Sequence, residues 1–173
     1  YADCLVIQTL SQATESRKQE IVGILQELCS PRGILERNDP KVRLLEGLDQ
    51  KVSLLAGEVP PEVTAQENGV RFHYDLFKGQ KTGAFLDQRE NRRAAAAYAT
   101  GEVLDCFTYN GGFALTLAKN ASQVEAVDLS PAAVESGRRN QQLNDLPNVT
   151  FREGNAFDVL KQYDEAGKRF DTI

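Results

Sequence analysis

The sequence predicts an α/β protein built on a parallel sheet and preceded by a small α+β module. Beyond residue 102, short apolar runs alternate strictly with helical stretches, the pattern of parallel strands joined by crossover helices. Within that repeat, Val103-Leu104-Asp105-Cys106-Phe107 runs into a glycine turn, Tyr109-Asn110-Gly111-Gly112, and the next strand, Val124-Glu125-Ala126-Val127-Asp128, ends in a carboxylate. Before the repeat, Asn68-Gly69 stands between two alternating runs, the strongest short-range hairpin signal.

In order along the chain, residues 4–10 read as a strand and Thr14 to Cys29 as one helix. Ile21, Ile24, Leu25 and Leu28 fall at helical spacing, with charged and amide residues opposite. Pro31-Arg32-Gly33 stops the helix, and Ile34 to Arg37 restart as a short strand. Residues 38–61 read as a polar connection with one helical turn near Val42–Leu48. The hairpin runs 63–67 and 70–76 and closes the first module, 1–76. Residues 77–173 form the second domain. Gln88 to Tyr98 is predicted as a helix whose alanines, Ala94 to Ala97, suit close packing on a sheet. Then follow strand 103–107, helix 111–120, strand 124–128, helix 131–144, strand 149–153, helix 156–167 and strand 170–173. Ser130-Pro131 supplies an N-cap and first-turn proline for the second of these helices.

Composition places the chain among ordinary globular proteins, with 41% hydrophobic and 26% charged residues. No apolar run reaches the roughly 20 residues that span a bilayer, and no signal-peptide pattern opens the chain, so a membrane partner is not expected. Cys4, Cys29 and Cys106 are odd in number, lack metal-ligand spacing and lie in apolar segments. They read as core thiols in a reducing cytoplasm, and no metal site is expected. A net charge of −5 argues weakly against nucleic acid. Locally, however, Lys78, Lys81, Arg89, Arg92 and Arg93 face only Asp87 and Glu90. Lys78, Lys81, Arg92 and Arg93 are the candidate RNA contacts, the alternative being a solvated helix start. The chain has no methionine, opens directly into a strand and stops partway into another. It is expected to be an internal fragment of a longer protein.

The chemistry gathers at three strand ends, where ligands bind in such sheets. The turn is neither Gly-x-Gly-x-x-Gly nor a P-loop, so no pyrophosphate cradle is present. Asp105 would repel a pyrophosphate but accept from a cationic or amine-bearing ligand, and S-adenosylmethionine is one. Asp105 with Tyr109, Asn110, Gly111 and Gly112 would hold its amino-acid half. Asp128 suits the ribose hydroxyls, Leu129 lies beside the adenine, and Asn155 with Ala156 follows the third strand. Each has a plainer alternative: turn former, helix-dipole partner, helix cap. Their appearance in order, at the spacing of one βαβαβ unit, favours the ligand site.

These residues resemble motifs of the class I S-adenosylmethionine-dependent methyltransferases, whose domain is Rossmann-like; this chain would hold a truncated half of its sheet. More specifically, Gly79-Gln80-Lys81-Thr82-Gly83-Ala84-Phe85-Leu86-Asp87-Gln88-Arg89 resembles the signature of the large-subunit ribosomal RNA cytosine-5 methyltransferases. That group carries a PUA domain and a central α/β module before the methyltransferase domain. The resemblance spans essentially the whole chain. It implies that Gln88 and Arg89 close over the cofactor, that Asp105 and the 110–112 turn hold its methionine moiety, that Asp128 binds the ribose, and that Asn155 meets the adenine. Relatives more often carry Asp at the last position. It further implies that the partner is large-subunit ribosomal RNA and that the catalytic cysteine lies beyond Ile173, so that no catalytic residue is expected here and the fragment alone should be inactive.

Cytosine C5 becomes nucleophilic only after a thiolate adds to C6. Cys106, inside a strand beside Asp105, is a poor candidate because its neighbour raises its pKa. His73 reads as a packing or surface histidine. Competing readings are a small-molecule methyltransferase, a nicotinamide oxidoreductase (disfavoured by the missing third glycine) and a module that binds cofactor or RNA without turnover. A homodimer remains open.

Overall fold

The structure, a computed structural model, describes all residues from Tyr1 to Ile173. It divides into two compact units, residues 1–65 with 74–85 and residues 66–73 with 86–173.

In the first unit β1 (Cys4–Ile7) pairs parallel with β2 (Gly33–Asn38), which pairs antiparallel with β3 (Lys51–Gly57). The crossover between β1 and β2 is two helices, α1 (Gln12–Ser16) and α2 (Lys18–Cys29), where one was expected. Ser11 and Thr14 form a capping box that starts α1 ahead of Thr14, and Arg17, at φ −104° and ψ 10°, is non-helical between the two helices. Cys29 ends α2 exposed to solvent, which corrects its assignment to the core; Cys4 is buried. The connection after β2 contains α3 (Val42–Leu45), as expected, but also β3, which was not. Adjacent apolar residues at Leu54 and Leu55 spoil the alternation that marks a strand. A register shift between Ile34 and Leu35 lets β2 accommodate it.

β2 is buried along its whole length although it carries Glu36, Arg37 and Asn38. Burial of such groups is tolerable only if they are satisfied. Glu36 accepts from Lys18 at 2.8 Å, Ser53 at 2.5 Å and Asn38 at 2.8 Å, while Arg37 donates to the carbonyls of Leu76 and Gly79. The hairpin pairs β4 (Glu62–Glu67) with β5 (Val70–Asp75). Asn68 and Gly69 both have positive φ, 49° and 74°, as a type I′ turn requires.

The second unit is a parallel sheet in the order β6 (Glu102–Cys106), β7 (Gln123–Asp128), β8 (Val149–Glu153). Its helices are α4 (Arg89–Ala96), α5 (Gly112–Leu117), α6 (Pro131–Leu143) and α7 (Ala156–Glu165). Leu104 and Cys106 pack towards Val159 and Leu160 of α7, whereas Asp105 accepts from a backbone N–H of α5. Helices therefore cover both faces, as the sequence predicts for a Rossmann-like α/β fold. The expected last strand is a single parallel bridge, Val103 to Thr172. The alanine run also departs from expectation, because Ala94 and Ala97 are exposed and α4 lies along α5 rather than on the sheet. No helix is long and apolar enough to cross a membrane.

Candidate functional site

From β6 the chain winds through β7 to β8 on one side, then returns to the other side of β6 at Thr172. β6 is thus where strand order reverses, and its carboxyl end is where an open α/β sheet offers a crevice. The segment leaving it is contorted. Phe107, Tyr109 and Gly111 all have positive φ, at 63°, 54° and 86°. For the two aromatic residues that conformation costs on the order of 1 kcal/mol each, and such strain concentrates at functional sites. Backbone bonds hold it: Thr108 N donates to Val127 O at 2.9 Å, and Gly111 N donates to Thr108 O at 3.0 Å. At Gly111 only glycine fits, since a Cβ would stand 2.8 Å from Cζ of Phe151.

Two carboxylates flank this segment. Asp105 Oδ2 accepts from the Thr108 hydroxyl at 2.6 Å and from Ala114 N at 2.9 Å, and no protein donor takes Oδ1. Asp128 Oδ2 accepts from Tyr109 N at 2.8 Å, and its Oδ1 accepts from Ser130 N at 2.9 Å. Neither carboxylate pairs with a lysine or arginine. Burial pushes the Asp105 carboxyl up to about 6, and the charge of Asp128 adds to it, against the Thr108 and Ala114 hydrogen bonds. A cation arriving here would be met by negative charge that the protein itself leaves uncompensated.

Beside the carboxylates lies exposed apolar surface. Phe107, Leu129 and Phe157 are 62%, 68% and 71% exposed, and the two rings meet edge to face at 5.7 Å. Acidic groups able to hold an ammonium and a diol, next to exposed rings able to cover a flat heterocycle, fit S-adenosylmethionine. Sequence reasoning named Leu129 and set Phe157 beside Asn155 and Ala156 at the third strand end, but gave Phe107 no part in the site. The signal for Phe107 was present: an aromatic residue directly after the end of β6. Thr108, which orients Asp105, was also missed.

The remaining candidates divide. Asn155 Oδ1 accepts from Phe157 N at 2.9 Å, so the side chain caps α7, and Ala156 is buried in its first turn. Gln88 accepts from Asn91 and donates to Asp87, while exposed Arg89 sits 3.6 Å from Glu90. Neither bonds to the strand-end carboxylates. Lys78 and Lys81 belong to the first unit, and Lys81 stands 4.4 Å from the Phe85 ring centroid. Arg93 is exposed, 3.6 Å from Glu90. Arg92 requires a correction. It is 6% exposed and makes two hydrogen bonds to the buried Glu67 carboxylate, at 2.6 and 2.9 Å, so it is not available to RNA. Cys106 is half-buried in the β6–α7 core, and burial, with Asp105 adding, pushes its thiol up.

Residues 44–170 match the family described as S-adenosylmethionine-dependent methyltransferase. Among curated relatives, "Ribosomal RNA large subunit methyltransferase I" of Photobacterium profundum is 43% identical over 179 residues. The protein of that name from Aeromonas salmonicida is 42% identical over 178 residues. Each alignment covers all of this chain and 45% of the relative, so the chain spans less than half the length of the relatives it matches. A Streptococcus mutans protein described as a candidate S-adenosylmethionine-dependent methyltransferase shares the fold, with a TM-score of 0.81 and 24% identity. That match covers 97% of this chain and 44% of the other.

Proposed function

The chain belongs to the S-adenosylmethionine-dependent methyltransferases, and from that premise we propose that it forms the cofactor-binding part of an enzyme that methylates large-subunit ribosomal RNA at cytosine C5. One observation carries the site: Asp105 and Asp128, at neighbouring strand ends where strand order reverses, have no cationic partner of their own. The RNA substrate is supported by the names of the relatives and by the Gly79–Arg89 signature. We further propose a central module over residues 1–76 and a methyltransferase domain from residue 77, with the hairpin tip 66–73 grouping with the latter.

When bound, the cofactor supplies an electrophilic methyl group on a sulfonium. Asp105 would hold the ammonium through its open Oδ1, with Tyr109, Asn110, Gly111 and Gly112 around the methionine moiety. Asp128 would take the ribose hydroxyls. Leu129, joined by Phe107 and Phe157, would cover the adenine, and Asn155 and Ala156 would border it. Since the Asn155 carbonyl already caps α7, it would share that oxygen with the adenine amine. Gln88 and Arg89 would close over the cofactor, and Lys78, Lys81 and Arg93 would meet RNA phosphates. Attack on cytosine C6 needs a thiolate. Cys106, with its raised pKa and its place in the core, is unsuited. The nucleophile is proposed to lie in the part of the relatives that this chain does not span.

The test is calorimetric titration of the full-length protein with S-adenosylmethionine and with NADH, followed by tritium transfer to unmodified large-subunit ribosomal RNA. Binding of the first ligand alone and label at a cytosine C5 are expected. Binding of NADH alone would end the methyltransferase reading, and label confined to another base would end the cytosine assignment.

A further inference from the structure

The turn after β6 is held by a residue well away from it in sequence. Asn140 lies in the last turn of α6, is fully buried, and uses both ends of its amide. Its Nδ2 donates to Asn110 O at 3.0 Å, and its Oδ1 accepts from His73 N of β5 at 2.8 Å. A buried amide in a helix would be a cost without such partners. One turn earlier on α6, a Cβ at Gly137 would stand 2.2 Å from the Phe151 ring, the same ring that a Cβ at Gly111 would strike. One turn later, Asn144 accepts from Arg71 N at 2.8 Å and donates to Arg71 O at 2.6 Å. This stretch of α6 therefore grips the edge of β5 with two asparagines and reaches the glycine turn with one of them.

The bond to Asn110 has a specific consequence. Asn110 O and Gly111 N are the two ends of one peptide group. The carbonyl end is fixed by Asn140, and the N–H end by Thr108 O at 3.0 Å. An Asn-Gly peptide is among the easiest to flip, because Gly111 tolerates either sign of φ. Pinning both ends removes that freedom. The same Thr108 orients Asp105 through its hydroxyl, so a flip at 110–111 would disturb the carboxylate too.

We propose that Asn140 is a positioning residue for the cofactor: it locks the Asn110–Gly111 peptide and ties the cofactor turn to the hairpin strand β5. The inference rests on the reading of this turn as the seat of the methionine moiety. Asn140→Asp isolates the decisive bond. It preserves volume and the acceptor for His73 N, but replaces the donor to Asn110 O with a second acceptor. A ligand without the amino-acid part of the methionine moiety, 5′-methylthioadenosine, keeps the adenosine and methylthio parts only and serves as the internal control.

In the full-length protein, Asn140→Asp should raise the dissociation constant for S-adenosylmethionine about tenfold, the effect of one net hydrogen bond. That for 5′-methylthioadenosine should stay within about twofold on the same scale. A merely structural role would weaken both ligands together or neither, and either result overturns the proposal. Wild-type protein that binds 5′-methylthioadenosine as tightly as S-adenosylmethionine overturns the placement of the methionine moiety, and the inference with it. Wild-type protein that binds neither ligand overturns the site as a whole. Should Asn140→Asp fail to fold, Asn140→Ser, too short to reach Asn110, carries the same two-ligand comparison.

Discussion

Asp105 concentrates the chemistry of this chain in one residue. Its carboxyl, raised to about 6, stays partly protonated under mildly acidic conditions in the free protein. The neutral acid cannot pair with an ammonium, so S-adenosylmethionine affinity should be flat above about pH 7. Below about pH 6 it should fall by up to about tenfold per unit. Calorimetry across pH 5–8 measures this, and Asp105→Asn should bind weakly and lose the pH dependence. For stability the sign is opposite to that of an ordinary paired carboxylate. The folded value lies above the unfolded one, so ionising Asp105 as pH rises towards 6 costs the free protein stability. Cys106→Ala should cost about 1–3 kcal/mol in chemical denaturation while leaving cofactor binding and methyl transfer intact. Lost turnover in a folded, cofactor-binding variant would reinstate this thiol as the nucleophile. Both carboxylates were legible as strand-end acids, because the apolar-run-then-Asp pattern is local. That Arg92 is buried was not, since nothing near it in sequence announces Glu67 as its partner.

Among the elements, the turn between β6 and α5 and the hairpin tip matter most. Asp128 serves the protein before any ligand, since its two oxygens fix Tyr109 N and Ser130 N. Asp128→Ala should therefore weaken S-adenosylmethionine binding by about 10- to 150-fold, equivalent to roughly 1.5–3 kcal/mol, through lost ribose bonds and a loosened turn. Isothermal titration reads it directly. The hairpin tip is bolted to its unit by the buried Glu67–Arg92 pair, both side chains 8% exposed. Arg92→Ala strands a carboxylate in the interior and should cost about 3–5 kcal/mol in thermal or denaturant unfolding. A loss below about 1 kcal/mol would mean that the pair behaves as a surface bridge. The hairpin was readable from Asn68-Gly69, whereas β3 escaped because its apolar residues do not alternate. The early start of the first helix was written in Ser11 and Thr14, a capping box masked by the longer apolar period after it, whereas its break at Arg17 was not.

Across the molecule, the two units differ in what holds them. The second packs helices on both faces of an apolar parallel sheet, with one buried ion pair, Glu67–Arg92, at the hairpin tip. The first carries charged side chains into its core, joined in a network of Glu15, Lys18, Glu36, Arg43, Thr9 and Asn38. Hydrogen bonds from Lys18, then Thr9, hold Glu15 down to about 2. Burial alone would raise Glu36, but Lys18 and Ser53 hold it below the usual carboxylate range. Both folded values lie below the unfolded ones, so their stabilisation is present above about pH 4.5 and is lost as pH falls towards 2. Acid titration followed by hydrogen exchange should show β1, β2 and β3 opening at a higher pH than β6, β7 and β8. Simultaneous opening would show that the network does not govern acid stability.

By itself the sequence determined the α/β class, the order of nearly every element and the acidic strand ends, because periodicity, caps and turn residues act over a few neighbours along the chain. Tertiary structure alone decided which polar groups are satisfied. It paired Arg92 with Glu67, set Asn140 between the hairpin and the glycine turn, and left Asp105 and Asp128 without a cation. Those outcomes depend on residues up to about seventy positions apart meeting in a low-dielectric interior, where an unmatched charge or amide costs kilocalories and a matched one fixes geometry.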